Sequence, residues 1–271
     1  MQGRCSSARS EWLKLLSHLS NIIDVYDRMN RVMSLGIDVK TRREFLDRVE
    51  ELCGKPRVVL DVGCGPGTLA SLIAEKWNPY IVALDPIPEM LDALGSRCKS
   101  PLVDRVVAVG EHLPLRDDTV DLATAAFSLR DFIDWKRGID EMIRVSRFCA
   151  AVLDIARAEN PLLLVAELAW WGFFVPLAAL LLARKNPTRY AAIARTILRW
   201  APPSIIARHA ERNGRVVVER LAFGFAFRLI VSKYREAGHS GERCKRSEIC
   251  IEAGRSAEQE AAARSRLYEG S

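Results

Sequence analysis

Val58-Val-Leu-Asp61-Val-Gly63-Cys-Gly65-Pro-Gly67-Thr-Leu-Ala70 decides the fold of this chain. Val58, Val59 and Leu60 form a short apolar run with β-branched members, as expected of a strand covered on both faces. Gly63, Gly65 and Gly67 then alternate with other residues. Without a Cβ, each glycine tolerates positive φ and lets backbone approach a ligand closely. The helix that follows turns unpaired N–H groups toward the same bend. Strand, glycine turn and helix in this order predict a site for a nucleotide-like ligand.

The glycine spacing narrows the ligand. A dinucleotide fingerprint is G-x-G-x-x-G, with the pyrophosphate on the helix N-terminus. Here the pattern is G-x-G-x-G, and Thr68 stands at the dinucleotide position. Asp61 precedes the turn, and a carboxylate there repels a pyrophosphate but suits a cationic amino-acid group. S-adenosylmethionine, which carries a sulfonium and an ammonium but no phosphate, fits better than NAD. A strand-to-helix turn without a ligand is the plainest alternative.

Tyr80–Leu84 reads as a second strand and ends in Asp85-Pro86. An acid about 20 residues beyond the glycine turn is placed for ribose hydroxyls, whichever nucleoside is bound. An Asp-Pro turn opening the helix Pro88–Arg97 is its structural reading. Val106–Val109 reads as a third strand, followed by Gly110-Glu111-His-Leu-Pro114 and a polar turn, then a fourth strand Val120–Ala125. Phe127-Ser-Leu-Arg130-Asp131 follows that strand. Trp135–Val145 has the apolar spacing of an amphipathic helix, and Cys149–Ile155 reads as strand five.

These residues resemble the ubiquinone/menaquinone biosynthesis C-methyltransferases, class I enzymes that use S-adenosylmethionine. The resemblance runs from about Tyr26 to Tyr234. Tyr26-Asp-Arg-Met-Asn30-Arg-Val-Met-Ser34 is similar to the family's N-terminal signature, and Phe127–Asp131 to its motif after strand four. Arg144-Val145, Leu153-Asp154, Pro176, Tyr190 and Phe223-Gly-Phe225 fall in a similar order. The chain departs from the pattern at Asp38 and Thr41, at Arg147–Ala150, and at Asp154 and Ala156. Val109 replaces an acid of the adenine loop, Ala126 a serine near the cofactor, and Asp131 an asparagine.

The resemblance implies a doubly wound, Rossmann-like α/β sheet with an N-terminal helical cap over residues 1–50. The methyltransferase domain would cover 51–235, with a lid insertion over 160–212 above the acceptor pocket. It also implies S-adenosylmethionine held by Asp61, Gly63, Gly65, Gly67, Asp85, Gly110 and Glu111, with Tyr26 closing over it. Arg130 and Asp131 are the catalytic candidates; an ion pair in a surface loop is their structural reading. The acceptor would be a quinone precursor or another prenylated molecule. Three alternatives remain: methylation of a lipid amine or other amphiphile, an NAD-dependent oxidoreductase, and a membrane-associated binding module.

Composition bounds the rest. The chain has 271 residues, 49% of them hydrophobic, enough for one α/β domain with an insertion. Seven scattered cysteines without metal-type pairing are expected to be reduced thiols, and four dispersed histidines suggest no zinc site. The first residues lack the apolar core of a signal peptide, so a cytoplasmic protein is expected, peripheral at the inner face of the membrane if it docks there. The formal charge of +6 suits anionic lipid or a solvated arginine-rich surface. No zinc finger, RNA-recognition motif or long basic run suggests nucleic acid. A helix over Ser10–Asn30 carries an apolar stripe of Trp12, Leu15, Leu16, Leu19, Ile22 and Ile23.

Leu162–Ala183 is nearly all apolar, with Trp170, Trp171, Phe173 and Phe174 together and Arg184-Lys185 at its end. Its length is near that of a spanning helix. Glu167 and Pro176 argue instead for a buried lid or an interfacial helix. Thr188–Arg199 and Ser204–Arg212 read as helices, and Val216–Leu221 with Phe225–Ser232 as a hairpin. From Glu236 the chain turns polar, which predicts disorder or a loose helix.

Overall fold

The computed structural model describes residues 36–178, 200–221 and 224–233, together with residues 34 and 180. The expected N-terminal helix with Tyr26, the helix Thr188–Arg199 and the polar tail lie outside the described residues.

Helix α1 (Asp38–Cys53) leads into β1 (Val58–Val62), α2 (Thr68–Trp77), β2 (Tyr80–Asp85), α3 (Pro88–Arg97) and β3 (Val103–Val107). Then come β4 (Val120–Ala126), a 3-10 turn (Leu129–Asp131), α4 (Trp135–Val145) and β5 (Ser146–Ile155). An apolar helix, the candidate lid, starts as α5 (Pro161–Ala169), and α6 (Pro203–Ala210), β6 (Gly214–Leu221) and β7 (Ala226–Lys233) complete the described chain. The strands form one sheet in the order β3-β2-β1-β4-β5-β7-β6. Pairing is parallel from β3 through β5, and β7 is antiparallel to both β5 and β6. The strand order reverses between β1 and β4, so a crevice opens at their carboxyl ends, where ligands bind in such sheets.

Alternation along β1 divides the core. Val59 joins Phe45, Leu46, Ile73, Ile81 and Leu122 on one face. Leu60 and Val62 join Leu84, Ala123, Met142 and Phe227 on the other. Both faces of the strand are therefore dry, which explains why its sequence is a run rather than an alternation. Helix α1 contributes Phe45, Leu46 and Val49 at helical spacing, all buried. Asp134 caps α4 by accepting from the Lys136 and Arg137 N–H groups.

Three differences from the sequence reading have local causes. Strand three is Val103–Val107 rather than Val106–Val109: it is the sheet edge, and Asp104 and Arg105 are exposed, which masks it as a strand. Strand five begins at Ser146, and a register irregularity between Val120 and Leu122 accommodates the extra length. The apolar helix widens into a π turn at Trp170–Phe174 before continuing through Val175–Ala178. That wide turn lies just ahead of Pro176, which has no N–H for the regular ladder. No helix among the described residues is long and apolar enough to cross a membrane.

The expectation of reduced thiols is corrected for one pair. Cys53, at the end of α1, and Cys149, in β5, form a disulfide with Cα atoms 6.2 Å apart. They lie 96 residues apart in the chain, so only the docking of α1 on the sheet brings them together. Cys64 and Cys98 are free and buried.

Candidate active site

The glycine turn is built as its spacing requires. Gly63, Gly65 and Gly67 all have positive φ, at 64°, 53° and 85°. The Gly63 and Cys64 N–H groups donate to Leu84 O, which folds the turn over the end of β2. A Cβ on Gly63 would stand 2.5 Å from Ser128 Cβ, and one on Gly67 would stand 2.7 Å from Leu94 Cγ. The turn is thus wedged between the loop after β4 and helix α3.

Asp85 joins two elements. Its Oδ2 accepts from Gly65 N and its Oδ1 from Ile87 N, each at 2.9 Å. Burial raises its carboxyl above the usual range, and those two N–H groups oppose the shift. Each oxygen retains a second acceptor direction, as a hydroxyl ligand needs.

Asp61 lies beneath the turn and is 1% exposed. Thr124 Oγ1 donates to Asp61 Oδ1 at 3.3 Å and to Leu60 O at 3.1 Å. Asp61 Oδ2 has no hydrogen bond of normal geometry, although the nearby Ala70 N–H favours its ionised form. Desolvation dominates and pushes this carboxyl up to about 7, against the Thr124 hydroxyl and the charge of Arg42. A buried acid left under-satisfied is a candidate for pairing with a cationic ligand group.

Arg42 is a further candidate residue, absent from the motif pattern. It is 4% exposed, its guanidinium lies 4.7 Å from the Phe127 ring centroid, and it pairs with Asp38. A signal existed. Arg42 falls on the same helical stripe as Phe45, Leu46 and Val49, so a charge was bound to point inward.

The loop after β4 holds the catalytic candidates. Phe127 takes a φ of 59° and donates its N–H to Leu153 O, redirecting the chain across β5. Arg130 Nη1 donates to Asp154 Oδ1 at 2.8 Å and to Phe127 O at 2.9 Å. The Arg130 N–H donates to Asp154 Oδ2 at 3.1 Å. Asp131 lies 3.5 Å from Arg130 Nη2 and keeps 22% of its side chain exposed. Desolvation raises the Asp131 carboxyl to about 6, with the Asp154 charge adding and Arg130 opposing. The pair is therefore a half-buried cluster anchored on a third member, fully buried Asp154, rather than an exposed ion pair.

Gly110 and Glu111 fasten this loop. Glu111 Oε1 accepts from Ile133 N at 2.7 Å and from Asp134 N at 3.3 Å. The Phe132 ring fills the space beside Gly110 and Gly138, where added Cβ atoms would stand 2.1 and 2.4 Å from it. The structure brings these two residues against the Arg130–Asp131 turn, and Ser128 joins that turn to Gly63. Tyr26 lies outside the described residues.

The model of the ubiE/COQ5 methyltransferase family matches residues 11–225. A demethylmenaquinone methyltransferase of Thermobifida fusca is 29% identical over 212 residues, covering 75% of this chain and 88% of that protein. One of Corynebacterium urealyticum is 31% identical, covering 70% and 80%. The ubiquinone/menaquinone biosynthesis C-methyltransferase UbiE of Campylobacter jejuni is 28% identical, covering 49% and 58%. Among solved structures, a SAM-dependent methyltransferase from Thermotoga maritima superposes with a TM-score of 0.54 at 14% identity, covering 81% of this chain and 100% of that one. The N-methyltransferase NodS of Bradyrhizobium japonicum gives 0.51 at 12%, covering 72% and 87%. Those two likenesses show the fold alone. The family match sets aside the oxidoreductase and binding-module readings: the chain belongs to the ubiE/COQ5 methyltransferase family and is an S-adenosylmethionine-dependent methyltransferase.

Proposed function

We propose that this enzyme methylates a ring carbon of a reduced, prenylated quinone precursor. The observation that carries the reading is Asp131. It stands 3.5 Å from the Arg130 guanidinium in the turn that follows the carboxyl end of β4, where ligands bind in such sheets, and desolvation raises its carboxyl to about 6, within reach of a base working at neutral pH. The relatives named demethylmenaquinone methyltransferase support the acceptor class.

S-adenosylmethionine supplies a methyl group on a positively charged sulfur. The chain's residues fit it. Asp61 and Arg42 offer one anion and one cation to its zwitterionic amino-acid end, Gly63, Gly65 and Gly67 leave room for close backbone approach, and Asp85 offers acceptors to ribose hydroxyls. Gly110 and Glu111 are assigned to the adenine side, and Tyr26 to closing over the cofactor. Asp131 takes the proton of an acceptor hydroxyl, which makes the neighbouring ring carbon nucleophilic. When bound, S-adenosylmethionine would supply its methyl to that carbon and leave as the neutral thioether; Asp131 would return its proton to the oxygen, and the ring proton would pass to solvent. Arg130 stays protonated throughout and favours the oxyanion by charge. The apolar lid excludes water around the reacting groups.

Incubation with methyl-labelled S-adenosylmethionine and reduced demethylmenaquinone tests this. Label in the quinone fraction, lost in Asp131→Asn, is expected. Label appearing only in a lipid amine when a total lipid extract is offered would overturn the ring-carbon reading in favour of the amphiphile alternative.

A further inference from the structure

The lid helix is built inside out. Glu167 is the sole charged residue from Pro161 to Ala178, and it faces inward. It is 2% exposed and accepts from Ala158 N at 2.9 Å. Trp171 and Val175, one and two turns further, are buried on the same side. The opposite side carries Leu162, Val165, Phe173 and Phe174, which are 81%, 65%, 62% and 52% exposed. Phe174 stacks on Trp170 at 5.9 Å and meets Phe173 edge-on at 5.4 Å. A helix lying on a water-soluble domain puts its apolar stripe inward and its charges outward. Here the outer side has no charge at all, and an uninterrupted apolar face of this kind marks a surface that is covered in use.

Charge identifies the cover. From Leu168 through Ala210 the sequence contains no Asp or Glu, whereas Arg184, Lys185, Arg189, Arg195, Arg199 and Arg208 are basic. An aromatic and aliphatic face followed by a purely basic stretch matches an anionic bilayer: apolar groups enter the boundary between headgroups and acyl chains, and cations meet the phosphates. A neutral apolar partner or a second copy of this chain, itself basic, offers no such complement.

We propose that the outer face of the lid docks on anionic lipid, with Leu162, Val165, Phe173 and Phe174 in the acyl boundary. Docking of this kind is independent of which acceptor is methylated. It also differs from spanning, because the face is one side of a helix whose other side holds Glu167.

Co-sedimentation of the full chain with vesicles tests the proposal. Binding to equal parts phosphatidylglycerol and phosphatidylcholine is expected to exceed binding to phosphatidylcholine alone by about tenfold or more, and to weaken with salt. Phe173→Glu with Phe174→Glu, and separately Leu162→Glu, are expected to lower partitioning by about tenfold. The affinity for S-adenosylhomocysteine and the melting temperature should stay at wild-type values in both. Absence of vesicle binding, or equal binding by the variants, would overturn the proposal. So would a wild-type dimer in sedimentation velocity that both variants dissociate, because a second copy would then be the cover.

Discussion

Asp154 takes both the main-chain N–H and the guanidinium of Arg130, at 3.1 and 2.8 Å, from a position with no solvent exposure. The ion pair thereby sets the orientation of the Leu129–Asp131 turn. It also commits Arg130 to Asp154, leaving Asp131 at 3.5 Å with only a weak neutralising partner. Removing the Asp154 charge should release Arg130 toward Asp131. Asp154→Asn is expected to destabilise the fold by about 3 kcal/mol, as loss of one member of a buried pair does. It should also lower the Asp131 carboxyl. Chemical denaturation and the pH–rate profile check the two effects separately.

The pH profile of the wild type follows from Asp131. A base with a carboxyl near 6 is protonated and inactive below that pH and ionised above it. The kcat/KM for the acceptor is expected to rise through about pH 6 and level off. In Asp131→Asn this limb should vanish, and turnover should fall by about 10²-fold or more. Cofactor affinity by calorimetry should not change. A limb that survives the substitution would assign the proton to another group.

Much of this site could be read from the residues because local patterns encode it. Apolar runs at β1, β2, β4 and β5 mark strands buried on both sides, and alternate glycines mark the turn. The spacing of Asp85 from that turn matches its place at the end of β2, where it accepts from Gly65 N. The remaining features depend on packing between distant segments. Cys53 and Cys149 meet only after α1 has docked, and Asp154 becomes the partner of Arg130 only when β5 lies beside β4. The edge strand β3 hides because two of its three exposed positions, Asp104 and Arg105, are charged. The apolar stretch Leu162–Ala183 is plain in the sequence, but its inward side is set by the burial of Glu167, Trp171 and Val175 and by the hydrogen bond from Ala158 N to Glu167, which composition does not reveal.

The disulfide ties α1 to the sheet across a loop of 96 residues. A native disulfide typically stabilises by about 2–4 kcal/mol, chiefly by closing a loop in the unfolded chain. Cys53→Ser is therefore expected to lower unfolding free energy by that amount under oxidising conditions. Under reducing conditions wild type and variant should melt together. Helix α1 also carries Arg42, so cofactor affinity should weaken along with stability. Identical melting of oxidised wild type and variant would remove the disulfide from the stability of the fold.

Asp61 couples folding and cofactor binding to protons. Its carboxyl stands at about 7 in the folded chain and at about 3.9 in an unfolded one. Between those values the folded chain holds a proton that the unfolded chain has released. The contribution of Asp61 to stability is therefore fully present below about pH 4 and is lost as pH rises toward 7. Asp61→Asn should flatten this decline, which melting curves across the range would show. Binding adds a second readout. A cationic amino-acid group beside Asp61 favours the ionised form, so S-adenosylmethionine should displace about half a proton at pH 7, where the acid is half protonated. Titration calorimetry in phosphate and in Tris, whose heats of ionisation differ, would then give different apparent enthalpies for the wild type and equal ones for Asp61→Asn. Equal enthalpies in the wild type would mean that the cationic end of the cofactor does not face Asp61.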